Sequence, residues 1–280
     1  MKLELVAIDL DGTLLRNDKS YDRDRFIAIK ERLLSENIVL CIATGNSYHK
    51  IQDYFEEDIA KDLYFAVDNG NHILRNDETL TTKSIDHQHM LEIVDYLESI
   101  EDSQIVISTS QSSYFIDEHN ELSDTIRFYN PNLVSIQNFE EIPEVELIFK
   151  IALLTNHSLD MNKSIVEQIK YQFYEIQSMT SAANWIDIIH LNGGKGAALE
   201  YIADKEGINL EHAIAFGDSF NDVTMLSVVG HSVAMHNADP EVKAYVQFEI
   251  GSNDVQSVLN ILEQYIEKED IQFLTTYRQK

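Results

Sequence analysis

Short apolar runs alternate with helical patterns from the start of the chain. Residues 3–10 form a strand candidate, and residues 22–37 repeat apolar positions at helical spacing through Phe26, Ile29 and Leu33. Residues 38–43 and Tyr64–Val67 are two further β-rich runs. Strands that alternate with helices predict parallel βαβ units and a sheet covered on both faces. The same grammar returns near the end. Lys195–Glu206 reads as a helix stopped by Gly207, a natural left-handed cap. Residues 213–216 form a short apolar strand, and residues 221–229 begin another helix. Residues 255–267 are amphipathic, with Val258, Leu259, Leu262 and Ile266 on the stripe expected to pack on the sheet.

The middle of the chain reads differently. A helix marked by Met90, Leu91, Val94 and Leu97 precedes two β-rich runs, 104–109 and 113–117, whose polar Ser-Gln-Ser-Ser separator suits a hairpin. A weaker helix and strand follow, then a strand at 146–155, a helix at 159–171, and strands at 174–179 and Trp185–His190. Two helix-plus-two-strand units predict an α+β insert with an antiparallel sheet. The expected architecture is therefore α/β: a Rossmann-like parallel-sheet core, residues 1–82 and 191–280, interrupted by an α+β cap, residues 83–190.

Composition narrows the function. The chain has 280 residues, enough for one large domain or two ordinary ones at ~100–200 residues each. A net charge of −27 argues against a nucleic-acid backbone or an anionic lipid surface as partner. One cysteine, Cys41, rules out an intramolecular disulfide framework and a cysteine-built zinc site. Acids interrupt the first apolar residues too early for a signal peptide, and no apolar run approaches the ~18 residues of a membrane span. A soluble, cytoplasmic protein is expected. With 3 prolines and 10 glycines and no repeat, long flexible linkers and solenoids are not expected.

Candidate chemistry sits at the ends of the predicted strands. The first strand runs into Asp9-Leu10-Asp11-Gly12-Thr13, where residues i and i+2 share a face and can aim two carboxylates at one spot. A metal cation relieves such crowding, although an Asx-type turn accounts for the motif equally well when it is taken alone. The second strand runs into Thr44-Gly45-Asn46, either an oxyanion cradle or simply a helix N-cap. Lys195 opens a helix, where its charge opposes the macrodipole unless an anion or carboxylate lies nearby. Gly217-Asp218-Ser219-Phe220-Asn221-Asp222 follows a strand directly. Capping explains each cluster separately but not the ensemble at the edge of a parallel sheet where ligands bind. Acids for a hard metal beside a lysine and amides for phosphate point to phosphoryl chemistry.

At these residues the chain resembles the haloacid dehalogenase superfamily, and within it the Cof-type phosphatases with a large α/β cap between the second and third core motifs. The resemblance covers essentially the whole chain: Asp9-Leu-Asp-Gly-Thr-Leu matches the first motif, Thr44-Gly45 the second, Lys195 the third, and Gly217-Asp218-x-x-Asn221-Asp222 the fourth. The ordered quartet is specific where no single member is. The stretches Ala43-Thr-Gly-Asn-Ser-Tyr and Val67-Asp-Asn-Gly-Asn look most like the sugar-phosphate phosphatases of this group. Many Cof-type members carry arginine where this chain has Asn46, so one cationic contact is missing; the sugar-phosphatase subgroup shares the asparagine.

The resemblance implies roles. Asp9 would attack phosphorus to form an aspartyl phosphate, and Asp11 would protonate the departing oxygen and then deprotonate water. Aspartate at position 11, where related ATPases have threonine, favours a phosphatase or mutase. Mg²⁺ would be held by Asp9, the Asp11 main-chain carbonyl and Asp218, with Asp222 orienting Lys195 or a metal-bound water. Thr44, the Gly45 and Leu10 amides, Lys195 and Asn221 would hold the phosphoryl group. The implied substrate is a small phosphorylated metabolite, with sugar phosphates first, other phosphomonoesters or a mutase reaction second, and a phosphoaspartate signalling module a remote third. In the cap, Asp187 is the candidate for sugar hydroxyls, against the plainer reading of an exposed strand carboxylate. Trp185 could line the site or fill the cap core, His190 reads as a structural histidine, and Cys41 as a buried thiol. Glu263, Glu267, Glu269 and Asp270 read as a solvated face.

Overall fold

The first strand, β1 (Leu5–Ile8), is wholly buried and splits its side chains between two cores: Val6 and Ile8 on one face of a sheet, Leu5 and Ala7 on the other. That near-continuous apolar run is what a strand covered on both sides requires. The computed structural model describes residues 2–182 and 184–278. The sheet built around β1 also contains β2 (Val39–Ala43), β3 (Tyr64–Val67), β4 (His72–Arg75) and β5 (Glu78–Thr82). A second sheet takes β6 (Ser103–Thr109), β7 (Ser113–Phe115), β8 (Leu133–Ser135), β9 (Ile148–Thr155), β10 (Ile176–Ala182) and β11 (Trp185–His190). The chain then returns to the first sheet through β12 (Ala213–Gly217), β13 (His231–Ala234) and β14 (Phe248–Glu249).

The first sheet has the order β14-β13-β12-β1-β2-β3-β4-β5, parallel from β14 to β3. Helices Arg23–Ser35 and Ser257–Lys268 cover one face through Phe26, Ile29, Leu33, Val258, Leu259 and Leu262, as the amphipathic stripes predicted. Helices Lys195–Glu206 and Val223–Val228 cover the other. Gly207 ends the first of these in the left-handed region, at φ 69°. Among the described residues no helix is long and apolar enough to cross a membrane.

The register decides where the chemistry emerges. Ile8 pairs with both Phe216 and Ile42, and Ile42 with Phe65. The residues that follow β1, β2, β3 and β12 therefore leave the sheet along one edge, at its C-terminal side. That edge is the ligand side of open parallel sheets.

The parallel core sheet and the antiparallel second sheet are as expected, and each carries one departure. The first sheet is not wholly parallel, because β4 and β5 add an antiparallel hairpin at its edge. Asn76 and Asp77 make the hairpin turn, at φ 52° and 61°, and Asn and Asp tolerate such positions. Strands of four and five residues are too short to show a clear alternation, which is why the hairpin escaped the pattern. The second sheet, ordered β10-β11-β9-β6-β7-β8, is antiparallel except for the parallel pair β7–β8. An ion pair from Lys163 to Glu241 (2.6 Å) links the surroundings of the two sheets.

Candidate active site

Asp9 follows β1 directly and is buried, with its amide donating to the Phe216 carbonyl (3.0 Å). Gly12, at φ 78°, then turns the chain beneath Asp218. A β-carbon on Gly12 would lie 2.3 Å from Asp218 Oδ2, a separation no side chain tolerates. Gly12→Ala is therefore expected to push the Asp218 carboxylate aside and strain the backbone. Turnover should fall by at least about tenfold, since misplacement by an ångström costs that much or more. Steady-state kinetics on the purified variant would check this, and wild-type turnover would show that the crowding is absorbed elsewhere.

Lys195 opens its helix after Gly194, itself at φ 106°. Its ammonium is fully buried and lies 2.6 Å from Asp9 Oδ1 and 2.6 Å from Asp222 Oδ1. The partner required by a lysine at a helix N-terminus is thus two carboxylates. Burial opposes the charge on Lys195, but Asp222 and Asp9 outweigh it and hold the ammonium above the usual lysine range. The other Asp222 oxygen accepts from the amides of Asp218 and Ser219 (both 2.9 Å), so this residue fixes both the lysine and the turn that carries Asp218.

Carboxylate oxygens of Asp9, Asp218 and Asp222 come within 4.8 Å of one another. Burial, then Asp222, pushes the Asp9 carboxyl above its ordinary range against the pull of Lys195. Burial, then Asp9 and Asp222, pushes Asp218 well above it. Crowded, desolvated carboxylates of this kind fit a hard divalent cation. Asp222 already spends both oxygens on protein donors, so Asp9 and Asp218 are the better placed side-chain ligands.

Asp11 is the more exposed carboxylate of the first motif. Lys19 Nζ donates to its Oδ1 and Asn46 Nδ2 to its Oδ2, both at 2.6 Å. Asn46 therefore holds Asp11 and also donates to Thr44 Oγ1 (3.1 Å from its backbone amide). Thr44 and Asn221 are buried. Thr44, Gly45 and Asn221 line one cavity of about 320 Å³ together with Asp9, Asp11 and Asp218. Leu10 is fully buried between the two aspartates.

The second sheet forms the opposite wall of this cavity. Val106 and Asp187 flank Ala152 in the ladder, and Ser108 pairs with Lys150 one step along, so these side chains share a face. All five line the cavity. Asp187 is not an exposed strand carboxylate: at 2% exposure it accepts from Asn69 Nδ2 (2.7 Å) and lies 3.7 Å from Lys150 Nζ. Lys150 also donates to the Gly45 carbonyl. Trp185 lines the cavity edge-on to Tyr129, with ring centroids 6.0 Å apart, and Lys19 lies over the Tyr129 ring at 5.4 Å. Burial pushes the Asp68 carboxyl up to about 6, against Lys150.

Sequence reasoning missed Lys19, Lys150, Ser108, Tyr129 and Asp68 as wall residues, and Asn69 as the partner of Asp187. The signal for Lys150 was a lysine between Phe149 and Ile151 in an apolar strand. Other expectations fall away from the site. His190 accepts from the Asn192 amide (3.1 Å), outside the cavity wall, and burial lowers its pKa. Cys41 is buried in the sheet, and burial pushes its thiol up to about 12. The acidic face is not simply solvated, since Glu263 pairs with Arg25 and Glu269 with Arg32.

A family of haloacid dehalogenase-like hydrolases matches residues 6–262. The chain belongs to this family. Among its relatives, the 5-amino-6-(5-phospho-D-ribitylamino)uracil phosphatase YbjI of Escherichia coli (strain K12) is 26% identical over 275 residues, covering 96% of this chain and 98% of that protein. YwtE of Bacillus subtilis (strain 168), a phosphatase of the same name, is 30% identical over 290 residues, covering 94% and 98%. Among solved structures, SMU.1108c from Streptococcus mutans UA159 shares the fold at a TM-score of 0.88 and 27% identity, covering 95% of this chain and 99% of its own. The protein is a haloacid dehalogenase-like hydrolase, matched over nearly its whole length to relatives named as phosphatases.

Proposed function

We propose that this hydrolase is a phosphatase that hydrolyses small sugar or polyol phosphates with Mg²⁺ through an aspartyl phosphate on Asp9. The observation that carries the reading is the buried Asp9–Lys195–Asp222 group at the base of a cavity whose rim holds Asp11. The cavity wall includes five carboxylates, Asp9, Asp11, Asp68, Asp187 and Asp218, against Lys19 and Lys150. An anionic ester enters such a site only with added positive charge. Asp9, the Asp11 main-chain carbonyl and Asp218 would hold Mg²⁺, which would supply that charge to the phosphoryl oxygens. Hard oxygen donors favour Mg²⁺ over softer metals.

Each residue then has a task. The Asp9 carboxylate attacks phosphorus, the ester P–O bond breaks, and the Asp11 proton passes to the departing oxygen. Water next gives a proton to Asp11 and attacks, releasing phosphate and restoring Asp9. Lys195, fixed by Asp222, neutralises the charge gathered at Asp9 and the phosphoryl oxygens. Lys19 and Asn46 keep Asp11 from turning away. Thr44, the Gly45 and Leu10 amides and Asn221 complete the cradle. We assign residues 1–82 and 191–280 to a catalytic core and 83–190 to a cap that excludes water and contacts the leaving group. A polyol phosphate is consistent with the ribityl phosphate named for YbjI and YwtE.

The test is phosphate release from hexose, pentose and polyol phosphates, nucleotides and an aryl phosphate, each with Mg²⁺ and with EDTA. Release concentrated in the sugar and polyol esters and lost at least about 100-fold in EDTA is expected. Metal-independent release would sink the Mg²⁺ assignment. Isomerised sugar without free phosphate would make the protein a mutase.

A further inference from the structure

After β3 the chain holds Asp68, Asn69 and Gly70 in succession at positive φ, 48°, 56° and 83°. Asp and Asn tolerate that region better than other side chains do, so three such residues in a row make a tight turn without large strain. The turn presents two side chains. Asp68 is 2% exposed in the cavity wall, and its Oδ1 has no hydrogen-bond partner. Ser108 of β6 is the hydroxyl beside it, also buried in that wall and near enough to act on the Asp68 carboxyl, although neither Asp68 Oδ1 nor Ser108 Oγ has a partner at normal hydrogen-bond distance.

A third orphan follows from a chain of donors. The Asp187 carboxylate can only accept, so Asn69 must turn its Nδ2 toward it (2.7 Å) and its Oδ1 toward Asn221 Nδ2 (2.9 Å). That orientation leaves Asn221 Oδ1 buried and unpartnered. Buried polar atoms are almost always paired. The Ser108 hydroxyl has one proton, and Asp68 is the group placed to take it; even so, lone pairs of Asp68, Ser108 Oγ and Asn221 Oδ1 are left over in one wall and call for donors from outside the protein. The phosphoryl group brings none, because its oxygens accept. Lys150, whose charge acts on Asp68, is engaged by the Gly45 carbonyl and Asp187.

We infer that Asp68, Ser108 and Asn221 Oδ1 form a subsite for hydrogen-bond donors, hydroxyl or amino groups, on the leaving group, and that Asp68 and Ser108 select donor-rich esters over apolar ones. The inference rests on the phosphatase reading above and deepens it. A site built to pair with donors rejects the analogue that lacks them more strongly than an apolar pocket rejects an extra methylene.

The test compares kcat/KM for D-ribitol 5-phosphate with that for n-pentyl phosphate, which has the same chain length and no donors. In the wild type the ratio is expected to exceed about 100. Asp68→Asn and Ser108→Ala are each expected to lower it at least about tenfold, the loss of one hydrogen bond to a charged or fixed group. Asparagine tolerates the left-handed position and alanine suits a strand, so two independent variants guard against a failure to fold. Folded variants, by circular dichroism and melting, that leave the ratio unchanged would make the Asp68–Ser108 pair structural and overturn the inference. A wild-type ratio near one would also overturn it while the phosphatase reading stood. No release from either ester or from an aryl phosphate would remove the phosphatase reading and the subsite with it.

Discussion

Asp9→Asn is expected to lower kcat by about 10⁴- to 10⁶-fold, the scale on which removing a nucleophile acts. The amide keeps the shape of the carboxylate, and its oxygen can still accept from Lys195 at the 2.6 Å separation seen here. What disappears is the charged oxygen that forms the bond to phosphorus. The fold should not suffer, because burial and Asp222 already make the charge on Asp9 costly. Removing it should leave stability unchanged or raise it by about 0.5–2 kcal/mol, as is common when a strained active-site group is neutralised. Single-turnover kinetics and a thermal melt on the same preparation would measure both. A variant that retained a tenth of wild-type turnover would exclude Asp9 as the nucleophile.

Lys195→Met should produce the opposite pattern on stability. Methionine fills a similar volume but leaves Asp9 and Asp222 buried without their shared cation. Breaking a buried pair from one side costs about 3–5 kcal/mol. For a chain of this size that corresponds to a fall in Tm of roughly 6–20 °C. The penalty has a pH signature. The Asp9 carboxyl is raised in the folded protein, so between its unfolded and folded pKa values the native state binds more protons and stability declines as pH rises. Without Lys195 the carboxyl rises further and the decline steepens. In metal-free buffer the deficit of the variant should therefore be smaller at pH 5 than at pH 8. Melts at the two pH values would decide, and a pH-independent deficit would mean that the lysine acts through packing alone.

The chemistry nearest each strand end was legible because it is local. Asp9 and Asp11 lie two apart, and β1 ends between Ile8 and Asp9, so neighbouring backbone geometry suffices to aim them. Lys195 was legible for an electrostatic reason: a cation at a helix N-terminus needs an anion, and two carboxylates stand there. The role of Asn46 was not legible. As a missing arginine it read as a loss, whereas its amide holds Asp11, a contact set by how the loop after β2 meets the loop after β1. Asp187 was placed in the cap by its sequence neighbourhood, but its engagement with Asn69 and Lys150 depends on residues 118 and 37 positions away.

By itself, then, the order of residues determined the alternation of strands and helices, the return of the chain to its first sheet and the four polar turns, because each follows from spacing within a few residues. Only the tertiary structure decided which cap side chains oppose those turns. Alternate residues on a strand face opposite ways, and the order β10-β11-β9-β6 is not the order of the chain. Whether Lys150, Ser108 and Asp187 look into the cavity or away from it is therefore fixed by the register of strands far apart in sequence, and by the packing of one sheet against the edge of the other.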